Sequence, residues 1–154
     1  MHRGVLSRLG GNGRNERDQV REQRLETISG LADRFLYDFG RMSAGHEADL
    51  DSYLAPDVAD AIRDSVAPLM NSGRLVRPDF GPYGEMRVEG DLLDADRPID
   101  AWIEFDDRSR REAEDGHLGP PAGRRVRLWL RISLVRNTIT SLRCTFPGDS
   151  SSRP

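Results

Sequence analysis

Two short stretches bring together residue types that do chemistry at surfaces: Asp100-Ala101-Trp102-Ile103-Glu104 and Arg127-Leu128-Trp129-Leu130-Arg131. In each, a tryptophan is flanked two residues away on either side by charges of one sign, acidic in the first and basic in the second. Residues two apart share a face of a β-strand. Antiparallel pairing with Trp102 opposite Trp129 therefore sets Asp100 against Arg131 and Glu104 against Arg127. Each cross-strand pair of opposite charge contributes about 0.2–1 kcal/mol. Arg143 extends the same patch from the next strand. Tryptophan and arginine are enriched at the energetic centres of protein interfaces, so this face is expected to hold a homodimer contact or a protein partner. One rival is coverage by the chain itself, from residues 107–124 or from the N-terminal arm. Another is a nucleic-acid platform, with bases stacked on the two indoles. Asp100 and Glu104 inside the patch, and the acids of 107–124, speak against nucleic acid as a partner.

Residues suited to catalysis are scattered. His2, His46 and His117 fall in the N-terminal arm, after the first helix and in a charged loop, with no ligand spacing between any two and no cysteine near. No metal site and no cofactor are expected. No serine stands in a strand-to-helix elbow. Cys144 is the single cysteine, which excludes an internal disulfide. It alternates with apolar residues and is expected to be a small buried hydrophobe. Pro78-Asp79-Phe80-Gly81-Pro82-Tyr83-Gly84 contains the letters of a kinase magnesium motif, but the chain is far too short for that domain and the prolines make the stretch a turn.

These residues need elements to position them. A chain of 154 residues with 36% hydrophobic and 32% charged residues suits one domain with a real core. Net charge -3 excludes a protein whose main business is coating nucleic acid. No apolar run approaches the ~20 residues of a membrane span. No secretory pattern is present, so a cytoplasmic location is expected. All 23 basic residues are arginine, the composition expected of a GC-rich, bacterial genome. Residues 1–19 are expected to form a disordered Arg/Gly-rich arm, 20–147 a single domain, and 148–154 a disordered tail.

From about Asn15 the pattern is helical. Leu25, Ile28, Leu31, Ala32, Phe35, Leu36, Phe39 and Met42 form one stripe, and Gly45 is a plausible stop. A second helical region runs from Ala48 to about Met70, divided into a short helix ending near Leu54 and another starting at Pro56. Val58, Ile62, Val66 and Leu69 form the buried face of the latter, and Gly73 closes it. The period then changes to two. Strands are predicted over Met86–Leu92, Ile99–Phe105, Val126–Leu134 and about Thr138–Phe146, the last with Thr140, Leu142, Cys144 and Phe146 inward. Arg136-Asn137 is a tight turn. Helices followed by an antiparallel sheet with one apolar face give an α+β fold, amphipathic N-terminal helices packing on one face of a curved sheet.

This order, with the run RVRLWLRISLVRNTITSLRCTF as a long final hairpin, resembles the nuclear transport factor 2-like, cystatin-like cone over about residues 20–147. The resemblance implies a cavity between helices and sheet and frequent pairing of two copies through the open sheet face. In enzymes of this kind a carboxylate or histidine in the cavity works with a tyrosine donor. Asp38 stands at the margin of the helical stripe, whereas Tyr37 lies opposite it and is expected to be exposed. Phe80 and Tyr83 are placed to guard a pocket mouth. Asp38, Phe80 and Tyr83 are thus the ligand-pocket candidates. The strand faces lining such a cavity are almost wholly apolar, so the preferred reading is a non-catalytic protein-binding or assembly module. Its alternative is an isomerase-, dehydratase- or cyclase-like enzyme, or a small-molecule binding protein, using the cavity.

Overall fold

The structure, a computed structural model, describes residues 12–71 and 76–147. The expectations for His2, Gly73, residues 1–11 of the arm and the tail 148–154 lie outside the described residues, as does the side chain of Leu69.

Helix α1 (Asn12–Ser43) begins inside the stretch expected to be an arm. Residues 15–19 carry no stripe, but they are mostly good helix formers, and Arg21 pairs with Asp18 one turn back at 3.3 Å. The helix gains its buried face only from Ile28 onward, through Leu31, Ala32, Phe35 and Met42. Leu25, counted in the stripe, is 37% exposed. The predicted stop is built as a Schellman motif: Gly45 has φ 94°, its N–H donates to the Met42 carbonyl, and the His46 N–H donates to that of Arg41.

Residues 48–54 are not the short helix that their spacing suggested. Leu50, Tyr53 and Leu54 are buried, but the chain leaves the turn at Tyr53 to run beside the last strand. The Ile139 N–H donates to the Tyr53 carbonyl at 2.8 Å, and the Ala55 N–H donates to the Ile139 carbonyl at 2.9 Å. An exposed strand edge thereby gains a backbone partner. Helix α2 (Pro56–Asn71) follows, with proline at its first position and Val58, Ala59 and Val66 buried.

Strands β1 (Val76–Arg77) and β4 (Arg110–Arg111) form a small antiparallel pair. Strands β2 (Arg87–Glu89), β3 (Ile99–Asp107), β5 (Arg124–Ser133) and β6 (Thr138–Thr145) form an antiparallel sheet in the order β2-β3-β5-β6. The fold is α+β, with the two helices on the sheet's apolar face. The strand expected over Met86–Leu92 is cut short because Gly90 has φ 124° and lies against the Ile99 side chain. The β5–β6 turn carries Asn137 at φ 51°, a left-handed position asparagine tolerates. In β6 the expected inward set holds at Leu142 but not at Thr140. Arg131 pairs with Ser141 while Ile132 pairs with Ile139, so Thr140 is bulged out and Ile139 becomes the fully buried residue. The core is the sheet face Ile99, Ala101, Ile103, Phe105, Leu128, Leu130 and Ile132 against Ile28, Ala32, Phe35 and Val66.

Candidate functional site

The outer face of the sheet has the register that the two tryptophan stretches dictate. Trp102 lies opposite Trp129, Asp100 opposite Arg131 and Glu104 opposite Arg127. Both indoles are half-buried. Arg131 grips Asp100 with two hydrogen bonds, Nε to Oδ1 at 2.9 Å and Nη2 to Oδ2 at 3.2 Å. Arg127 Nε donates to Glu104 Oε2 at 3.0 Å, and Arg125 Nη1 to Asp106 Oδ1 at 3.1 Å. The Arg127 hydrogen bond, helped by Arg125, holds the Glu104 carboxyl below the usual glutamate range. Asp106 and Asp100 push the Arg125 and Arg131 guanidiniums further up. Arg143 comes from β6, opposite Trp129, and its guanidinium carbon lies 4.9 Å from that ring's centre; that of Arg131 lies at 5.3 Å, and Arg87 covers Trp102 at 5.8 Å. These are cation–π distances. The result is an acidic row on β3 beside a basic row on β5, with two indoles at the middle. Residues 107–124, considered as a cover for this face, lie on the helix side instead. There β4 pairs with β1, and Ser109, Pro120 and Ala122 line a hollow whose other walls include Phe39 and Ser43 of α1.

The other side of the sheet encloses a cavity of about 240 Å3 between β3, β5, β6 and the helices. Its walls include Phe35, Phe39, Phe80, Phe105, Leu128 and Leu142. Four of these rings make a chain of contacts, with centroids 5.8 Å apart for Phe35 and Phe39, 6.3 Å for Phe39 and Phe80, and 5.5 Å edge-on for Phe80 and Phe105. Phe80 reaches this wall because residues 79–81 run along the end of β3, where the Gly81 N–H donates to the Asp106 carbonyl at 2.8 Å.

Of the three pocket candidates, Phe80 and Tyr83 share one groove and Asp38 stands apart from it. This shallower groove runs along α1, beside Tyr37 and Pro82. The Tyr83 hydroxyl bonds Asp33 and lies 3.2 Å from the Ser29 hydroxyl. Burial, and then Asp33, push that phenol up. Tyr37 is 65% exposed, as expected. Asp38 lines neither space. It is buried, accepts a hydrogen bond from the Tyr53 hydroxyl at 2.8 Å, and has Arg34 at 3.8 Å. Burial and the Asp38 bond drive the Tyr53 phenol well above the ordinary tyrosine range. Asp38 is thus a satisfied carboxylate under the 48–54 turn. Cys144, expected to be buried, is exposed on the edge strand β6, although its thiol lines one end of the cavity and partial burial pushes it up. His117 is paired loosely with Asp115, and no group of ligating residues that could hold a metal occurs among the described residues. No helix among them is long and apolar enough to cross a membrane.

One polar pair on the inner face escaped the sequence reading. Asp107 is buried and lies directly opposite Arg124, at 3.6 Å, where β3 ends and β5 begins. It also accepts a hydrogen bond from the Ser109 N–H at 3.0 Å. The Arg124 guanidinium in turn stacks 4.1 Å from the centre of the Phe146 ring. The alternation Ile99, Ala101, Ile103, Phe105 continues by one step to Asp107, and Val126 steps back to Arg124, which is the signal that would have found both.

No family model matches the chain, and no curated protein does. Among solved structures it is similar to a de novo designed β-sheet protein determined by NMR in solution. The two are 17% identical, over 86% of this chain and 95% of the designed one, with a TM-score of 0.45. A likeness at that level supports no statement about ancestry or activity.

Proposed function

We propose that this chain is a non-catalytic assembly module, bacterial and cytoplasmic, of the nuclear transport factor 2-like arrangement. It pairs with a second copy of itself through the outer face of the four-stranded sheet. What carries the reading is the in-register Trp102–Trp129 pair between an acidic row on β3 and a basic row on β5. Such a face is its own complement. A two-fold axis lying in the interface, parallel to the strands and between β3 and β5, keeps each position along the strands and exchanges the two rows. Asp100 of one copy then meets Arg131 of the second, Glu104 meets Arg127, and Trp102 meets Trp129. This is isologous pairing, with an aromatic centre and a polar rim. The arginines are already held across the face by their own acids, so their ordering costs little on association.

Light scattering on the full chain, with Trp129→Glu beside it, tests the reading. The parent is expected at twice the 17.3 kDa chain mass. The variant is expected as a monomer with an unchanged circular dichroism spectrum. A parent that stays monomeric at high micromolar concentration overturns the pairing, and so does a variant whose mass equals that of a dimeric parent.

A further inference from the structure

The inner cavity does not end at its aromatic walls. Phe39, Phe80, Asp107 and Arg124 also line an adjoining, wider hollow of about 490 Å3 under β4. The floor of this hollow is apolar, through Phe39, Phe80 and Val76, while Arg110 and Arg111 stand on its rim. Arg124 is engaged by Asp107. Arg110 and Arg111 make no ion pair among the described residues, whereas Arg77 and Arg124 beside them each hold an acid. Unneutralised positive charge over an apolar concavity raises the local concentration of anions. Ligand sites commonly combine an apolar body with a few convergent polar groups. An apolar cavity of about 150 Å3 already accepts benzene, so the inner space has room for an aryl ring or a short acyl chain.

We propose that this two-part cavity binds a small amphiphilic carboxylate, with its apolar tail among Phe35, Phe39, Phe105 and Leu142 and its carboxylate at the rim, held by Arg110 and Arg111. The buried carboxylate of Asp107 fixes the direction of entry. It makes the inner end unfavourable for an anion and keeps Arg124 folded back on Phe146, leaving the head group to the two rim arginines. This site lies on the sheet face opposite the tryptophans and stands or falls independently of the pairing proposed above.

Octanoate is the probe, and octanol, with the same tail and no charge, is its control. Calorimetric titration of the full chain is expected to show saturable octanoate binding at least about tenfold tighter than octanol, the scale of one charge-assisted hydrogen bond. Amide shifts in NMR spectra should centre on Phe39, Phe105 and Leu142. In the double variant Arg110→Ala/Arg111→Ala, whose side chains are exposed and whose fold is checked by circular dichroism, octanoate and octanol should bind alike. Four results overturn the proposal: no saturable octanoate binding, equal affinity for both probes in the parent, a preference that survives in the folded double variant, or shifts centred elsewhere.

Discussion

Asp38 and Tyr53 show how a carboxylate with the marks of a catalytic residue can be a structural one. Asp38 is buried beside a tyrosine hydroxyl and an arginine, but the Tyr53 ring that bonds it is 2% exposed and leaves no room for a substrate. Arg34 closes the cluster from outside, 4.4 Å above that ring. Replacing Tyr53 by phenylalanine keeps the packing and removes the donor, leaving a buried acceptor unmatched. The expected cost is about 1–3 kcal/mol, read from denaturant melts near neutral pH. The same residue links stability to alkaline pH. Its folded phenol titrates above the unfolded value of 10.0, so its contribution is complete below that pH and is lost as pH rises past it. Tyr53→Phe should therefore be less stable than the parent near neutrality and lose less stability above pH 10. A variant as stable as the parent at both would show that the cluster contributes nothing to the fold.

At the scale of elements, two glycines with opposite environments test the backbone account. Gly90 ends β2 at φ 124°, and a Cβ there would come 2.7 Å from Ile99 Cδ1. Gly90→Ala should cost about 1–3 kcal/mol. Gly30 lies within α1 with nothing within 4 Å of an added Cβ, so Gly30→Ala should stabilise by about 0.5–1 kcal/mol. Thermal melts that move in the same direction for both would contradict these assignments. The β3–β5 register was legible in advance because the two faces differ so sharply: a one-residue slip would bury Asp100 and Arg131 and expose Ile103 and Leu128. Nothing comparable marks Thr140. It is bulged from β6 and its hydroxyl donates to the Arg131 carbonyl at 3.2 Å, a local exchange of partners that leaves no trace in hydrophobic spacing. The 48–54 turn was misread for a long-range reason. Leu50, Tyr53 and Leu54 have helical spacing, but the unpaired edge at Ile139 recruits Tyr53 and Ala55 as backbone partners. Of the pocket candidates, Phe80 and Tyr83 line one groove, while Asp38 is turned away to the Tyr53 hydroxyl, a tertiary partner that a linear pattern does not resolve.

In the whole molecule, one sheet keeps two chemistries apart: an aromatic and charged face outside, and an apolar cavity with a basic rim inside. If pairing through the outer face depends on matched charge, it must respond to pH from the acid side, because Arg125 and Arg131 of β5 are pushed further up by Asp106 and Asp100 and stay charged. Glu104 titrates below its ordinary value of 4.5 owing to Arg127. A depressed carboxyl contributes fully above its unfolded value, and the contribution disappears as pH falls through the folded one. The mass in solution should accordingly hold at that of a pair from neutrality down to about pH 5 and fall towards that of one chain only in stronger acid. Added salt at neutral pH should weaken the pair as well, since these charges are partly exposed and screened over about 10 Å at 0.1 M ionic strength. A mass that is indifferent to salt and to pH down to the point of unfolding would mean that the indoles alone hold the copies together, and that the charge rows on β3 and β5 serve only to neutralise each other within one chain.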